Sequence, residues 1–201
     1  MFNPSSLVRR AARGDDRGDN DDASLNDDAS LTKVCAESTP WPENASWYED
    51  SWCELSRLKQ VILDNMPITE HLQFSLFRDA AERLVATAPL EPNANHRQTA
   101  FGGSLSMLAT VAGWAMTRLV LRERDYADAS VVIQKSSIDY CGPVCGDLVM
   151  QCAWPSEEKR ASFFDTLDRW GKARLPLRCT TAVADGQETV VFDGSYVALL
   201  R

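Results

Sequence analysis

The chain has 201 residues, 44% of them hydrophobic and 25% charged, with a net charge of -8 at pH 7, enough for one domain with a real core plus an extension. Residues 1–50 hold 5 Lys/Arg against 11 Asp/Glu, so the remaining 151 residues are close to neutral at -2. A near-neutral body without a basic stripe argues against nucleic-acid binding, and no uninterrupted apolar run of about 18 residues is present to span a bilayer.

Residues 1–50 are expected to form a disordered acidic extension. Asp15, Asp16, Asp19, Asp21, Asp22, Asp27 and Asp28 lie among Ser, Asn and Gly, with few large apolar side chains to offset the ordering entropy. Arg9, Arg10 and Arg13 without an acid in residues 1–14 share a feature with organelle transit peptides. The Asp run that follows speaks against one, and no signal-peptide core is present, so the expected compartment is the cytoplasm. The six cysteines (35, 53, 141, 145, 152 and 179) fit no zinc spacing, and the chain has only 2 histidines. They read as small apolar or turn residues in a reducing compartment, with no metal site.

The body, residues 51–201, begins with a helix. Leu55, Leu58, Ile62 and Met66 recur at helical spacing from about Trp52 to Asn65, and Pro67 stops them. Two strand-like runs follow, Glu70 to Asp79 and Arg83 to Pro89, compatible with a hairpin although the connection lacks glycine. From about Ala100 to Arg122 a helix is apolar nearly all round, which requires burial on most sides. Ser130 to Tyr140 and Asp147 to Trp154 read as strands. Pro155 and Ser156 open an amphipathic helix with Phe163, Phe164, Leu167 and Trp170 on one face. Lys172 to Ala184 alternates, with Pro176 hinting at an edge or bulge. Asp185-Gly186 is a hairpin signal, and Glu188 to Leu200 returns with Gly194 as an expected bulge. One buried helix and about six antiparallel strands make an α+β fold in which the sheet curls around the helix.

The polar loop from Pro92 to Thr99 runs into that helix through Phe101-Gly102-Gly103-Ser104. A helix start leaves backbone N–H groups unpaired at the positive end of its dipole, and glycines let a ligand approach them. Such a site suits a phosphate, a carboxylate or the oxyanion of an attacked or enolised thioester.

Pro92-Asn93-Ala94-Asn95, Thr99-Ala100-Phe101-Gly102-Gly103-Ser104-Leu105, Ala112-Gly113-Trp114, Ile138-Asp139-Tyr140, Gly171-Lys172-Ala173-Arg174 and Gly194-Ser195-Tyr196-Val197 together resemble the putative thioesterase family formed by the C-terminal domain of bacterial YiiD. That family has the hotdog fold. The resemblance implies an enzyme acting on acyl or malonyl thioesters of coenzyme A or acyl carrier protein, with the thiol carrier as part of the substrate and no further cofactor. It also implies a homodimer, and includes members that decarboxylate malonyl-acyl carrier protein. Many hotdog thioesterases carry an acid seven residues after the second glycine; Thr110 stands there. On this reading Asn95 and Ser104 are the candidate catalytic residues. Thr99, Phe101, Gly102, Gly103, Thr110 and Tyr140 are the candidate substrate-binding residues. His96, in an exposed-looking loop, is not expected to act as a base, and Arg118, Arg122 and Arg124 read as a solvated helix end rather than a phosphate site. The alternative is a non-catalytic acyl-thioester binding or scaffolding protein.

Overall fold

The computed structural model describes residues 49–182 and 186–200. The expected disordered extension therefore lies almost wholly outside the described residues. Helix α1 (Glu49–Asn65) leads through a 3-10 turn (Pro67–Leu72) into strands β1 (Ser75–Arg78) and β2 (Leu84–Ala88). A second 3-10 turn (Glu91–Asn93) and the loop after it lead into the long helix α2 (Gly102–Arg122). Strands β3 (Ser130–Tyr140) and β4 (Leu148–Cys152), helix α3 (Glu157–Trp170), and strands β5 (Lys172–Ala182) and β6 (Glu188–Leu199) complete the domain. The six strands form one antiparallel sheet in the order β1-β2-β4-β5-β6-β3.

Helix α2 lies against one face of this sheet. Leu105, Leu108, Val111, Ala112, Met116 and Leu119 are buried among Leu84, Met150, Leu175, Phe192 and Tyr196 from four strands. This is the expected architecture. By length and mean hydropathy α2 is apolar enough to cross a membrane, a property hidden by counting uninterrupted apolar runs. Two-thirds of its most apolar window (67%) is nevertheless buried inside the domain, as befits a core helix.

Local chemistry corrects several expectations. Leu72 and Phe74 are buried, but the first predicted strand is only Ser75–Arg78. Its first half is the 3-10 turn that Pro67 opens, fixed by the Thr69 hydroxyl donating to the Met66 carbonyl and ended by left-handed Gln73 (φ 54°). The β1–β2 hairpin forms without glycine. The Asp79 carboxylate accepts from the N–H groups of Ala81 and Arg83, at 3.0 and 2.9 Å, and Glu82 takes the positive φ. Gly194 is not a bulge. Register shifts lie elsewhere, between Ile133 and Lys135 of β3 and between Thr181 and Ala182 of β5, and a Cβ at Gly194 would come within 2.8 Å of the Phe192 and Tyr196 rings.

Pro176 sits in a strand that is central by sheet order. However, the recorded β4–β5 pairs join only Gln151 to Thr180 and Cys152 to Cys179, so Pro176 lies where β5 has lost its β4 neighbour. Helix α3, N-capped by Ser156, lies beside this part of β5. It buries Phe163, Phe164 and Leu167, whereas Trp170 is 64% exposed rather than on the buried face. The Asp185-Gly186 signal stands between paired β5 and β6, with Gly186 at φ 82°; Asp185 lies outside the described residues. Cys152 and Cys179 are free and buried, as expected for small apolar residues, and Cys141 is free and exposed. Cys145 departs from that expectation, being disulfide-bonded.

Candidate active site

The loop before α2 is built around two asparagines with different tasks. Asn93 is buried, and its Nδ2 donates to the carbonyls of Leu72 (3.0 Å) and Pro89 (2.8 Å). Its own carbonyl accepts from the Phe101 N–H at 2.7 Å, while the Ala100 N–H donates to the Val144 carbonyl at 2.8 Å. Asn93 thus ties the start of α2 to the hairpin side of the domain. Sequence reasoning passed over it; the signal available was an amide in a proline-flanked turn, a type rarely buried unless it is hydrogen-bonded.

Asn95 organises the loop tip. Its Oδ1 accepts from the Arg97 N–H (2.8 Å) and the Thr99 N–H (3.3 Å), and its Nδ2 donates to Thr99 Oγ1 (2.9 Å) and the Ala100 carbonyl (3.4 Å). Its amide is engaged within the 95–100 turn, and Thr99 is its partner there. In this state Asn95 shapes the loop rather than presenting free donors. His96 is exposed on the same turn.

At the helix start, Phe101 is extended (φ -69°, ψ 129°) and gives no side-chain cap. Its carbonyl accepts from the Leu105 N–H at 3.1 Å. The N–H groups of Gly102, Gly103 and Ser104 have no acceptor among the described residues, and the first turn of α2 contains no acid. Three bare donors therefore stand at the positive end of a 21-residue helix. The Phe101 ring, 56% exposed, folds over Gly103, where a Cβ would lie 2.9 Å from its Cζ. The Tyr140 hydroxyl, from the end of β3, donates to the Gly102 carbonyl at 2.8 Å. The structure therefore brings Phe101, Gly102, Gly103, Ser104 and Tyr140 together.

Thr110 lies two turns along α2, on the partly exposed stripe that includes Gly103, Met107, Trp114 and Arg118. Its hydroxyl donates back to the Ser106 carbonyl at 2.9 Å, and its carbonyl accepts from the buried Tyr196 hydroxyl at 3.0 Å. Burial pushes the Tyr196 phenol far above its ordinary value, so it remains a donor. The stripe faces β3: Trp114 Nε1 donates to the Val131 carbonyl at 3.0 Å. The arginine cluster at the other end of α2 is occupied structurally. Arg118 donates to the carbonyls of Ala127 and Ala129, Arg122 pairs with Glu54 and Arg124 with Asp168. No group of three or more possible metal ligands occurs among the described residues.

Residues 55–200 match the family described as putative thioesterase, YiiD C-terminal. The chain belongs to this family. Among solved structures, a protein of unknown function from Chlorobaculum tepidum is 35% identical, with 73% of this chain and 94% of that one covered and a TM-score of 0.68. A putative thioesterase from Shewanella oneidensis is 30% identical over 72% of this chain and 96% of its own, with a TM-score of 0.64. A protein from Pseudomonas aeruginosa described as a probable thioesterase shares only 16% identity, over 73% of this chain and 95% of its own. Its TM-score of 0.60 is a likeness of fold. The arrangement of sheet and helix is the hotdog fold of these thioesterase-family proteins.

Proposed function

We propose that the chain acts on acyl or malonyl thioesters carried by coenzyme A or acyl carrier protein, with the N-terminus of α2 as the oxyanion site. The observation that carries this reading is the set of unpaired N–H groups at Gly102, Gly103 and Ser104, in a member of a thioesterase family. Such donors act on charge that develops during reaction, because they are already oriented when it appears.

The absence of an acid from α2 between Gly102 and Arg122 favours decarboxylation of a malonyl thioester over hydrolysis. In that reaction the C–C bond to the carboxylate breaks and carbon dioxide leaves. The electron pair forms the enolate of the acetyl thioester, its oxygen held by the helix N–H groups, and a proton from solvent completes the acetyl group. No general base is needed, and an acid beside the site would repel the substrate carboxylate. Hydrolysis is the second reading, favoured by the thioesterase family itself; a water would then be placed by a neutral group such as the Thr110 hydroxyl. Incubation with malonyl- and acetyl-acyl carrier protein and the matching coenzyme A thioesters, followed by mass spectrometry, separates the cases. Conversion of malonyl to acetyl with the thioester intact is the expected result. Release of free thiol establishes hydrolysis, and binding without turnover of any of the four establishes a binding protein.

The working form in this proposal is a homodimer. Strand β3 ends the sheet, its outer edge has no partner strand among the described residues, and Val132, Ile133 and Tyr140 are exposed along it. An 11-residue edge of this kind is a template for a second copy. The same edge borders Tyr140 and the Thr110 stripe, so the copy would also cover the site. Light scattering is expected to give twice the 22.3 kDa chain mass, and Ile133→Asp to give the monomer. A wild-type monomer at tens of micromolar would overturn the dimer.

A further inference from the structure

A second concave surface lies on the other face of the sheet. Helix α3 and the outward side of β5 line a groove of about 750 Å³, to which Val197 of β6 and Gln134 of β3 also contribute. Its floor includes Phe163, Pro176 and the exposed Trp170. Lys159, Lys172 and Arg174 line it against the single acid Glu158. Among the described residues the side-chain ammonium groups of Lys159 and Lys172 have no hydrogen-bond or ion-pair partner, and the Arg174 guanidinium donates only to the neutral Gln134 amide, at 2.6 Å. The neighbouring arginines differ. Arg160 pairs with Glu123, and Arg178 pairs with Glu188 and Asp193. Three cations without an acidic partner among the described residues thus gather in one groove of a body whose net charge is only -2.

We propose that the acidic stretch Asp15–Asp28 of the same chain docks in this groove. The stretch carries seven aspartates and one arginine, so its charge is opposite to that of the groove, and Leu25 within it suits the apolar floor. Helix α1, by which the chain enters the domain, is joined to the groove's own helix through the end of α2. Glu54, in the second turn of α1, pairs with Arg122 at the end of α2. The adjoining Glu123 and Arg124 pair with Arg160 and Asp168 of α3, the helix that walls the groove. Residues 29–48 separate the stretch from α1 in sequence; a random-coil linker of about 20 residues has a root-mean-square span of about 25 Å. Tethering at that distance supplies the stretch at an effective concentration on the order of millimolar, so weak ion pairing suffices for occupancy. The contact is electrostatic and therefore salt-sensitive. This proposal does not rest on the thioester reading.

The test is zero-length carbodiimide cross-linking of the full chain, which joins aspartate carboxylates to lysine amines. An equal mixture of unlabelled and ¹⁵N-labelled protein shows by mass spectrometry whether both ends belong to one chain. The expected result is links from Asp15–Asp28 to Lys159 and Lys172 within one chain. Their yield should exceed that at Lys59 of α1, which controls for tethering alone. That excess should fall several-fold in 1 M salt and in Arg174→Glu, which leaves both lysines in place; an unchanged melting temperature verifies that this variant is folded. Yields at Lys159 and Lys172 no higher than at Lys59, insensitivity to Arg174→Glu, or links found only between chains would each overturn the proposal.

Discussion

Replacing Gly113 by alanine is expected to destabilise the domain by about 2 kcal/mol, against the sign that helix propensity gives. In the interior of a helix, alanine is favoured over glycine by about 1 kcal/mol. Here a Cβ would lie 2.5 Å from Cε2 and Cζ of Tyr196, whose ring is fully buried. The ring is held on two sides. Its hydroxyl donates to the Thr110 carbonyl, and Gly194 leaves no gap on the strand side, its own missing Cβ being filled by Phe192 and Tyr196. Overpacking a core costs about 1–3 kcal/mol, and a displaced hydroxyl left unpaired costs about 1–3 kcal/mol more. For a domain of this size, a net loss of about 2 kcal/mol lowers the melting temperature by roughly 4–8 °C. Calorimetry of the full chain decides the matter, because a melting temperature raised by Gly113→Ala would show that the α2–β6 contact is looser than described.

The same contact shows what could be read in the sequence. Apolar residues on nearly every side from Leu105 to Leu121 required a helix buried on most sides, and strict alternation in β5 required a half-buried strand; both follow from periodicity alone. Ser130–Tyr140 was found with its observed bounds. What failed were places where one residue's pattern served another's packing. Gly194 looked like a bulge, but it makes room for two rings belonging to its own strand. Leu72, Phe74 and Leu76 alternate as in a strand, yet a proline start and a left-handed Gln73 turn the first of them into a 3-10 segment. Trp170 shares helical spacing with Phe163 and Leu167, but it is the last residue of α3, next to Gly171 in the left-handed conformation, and projects into solvent.

The local geometry of the candidate site was legible only in part. The bare helix start followed from the Gly-Gly-Ser junction, since any helix leaves its first N–H groups unpaired. The division of labour between Asn93 and Asn95 did not, because two amides two residues apart are equivalent until the fold buries one of them. The uncompensated groove on the far face was invisible for a related reason. Lys159, Lys172 and Arg174 belong to two elements, and it is the three-dimensional pairing of Arg160 and Arg178 with acids that sets them apart.

Gly102→Pro is expected to lower turnover on the thioester substrate by about 10²–10³ while leaving the fold intact. Residue 102 is the first of α2, where proline is well tolerated because the N–H it removes has no intrahelical partner. The residue before a proline must be extended, and Phe101 already is, at ψ 129°. The substitution therefore deletes one donor from the group of three with little other change, and losing one such donor typically costs about 10²–10³ in rate. Gly102→Ala is the control. It keeps the N–H, and its Cβ meets the Tyr140 ring at 3.3 Å, a distance the half-exposed ring accommodates by a small shift. The loss should appear in kcat with KM nearly unchanged, since charge on the thioester oxygen develops only during reaction. Proline and alanine variants that turn over alike would remove the Gly102 N–H from the oxyanion site. A proline variant that raises KM alone would make it a ground-state binding contact.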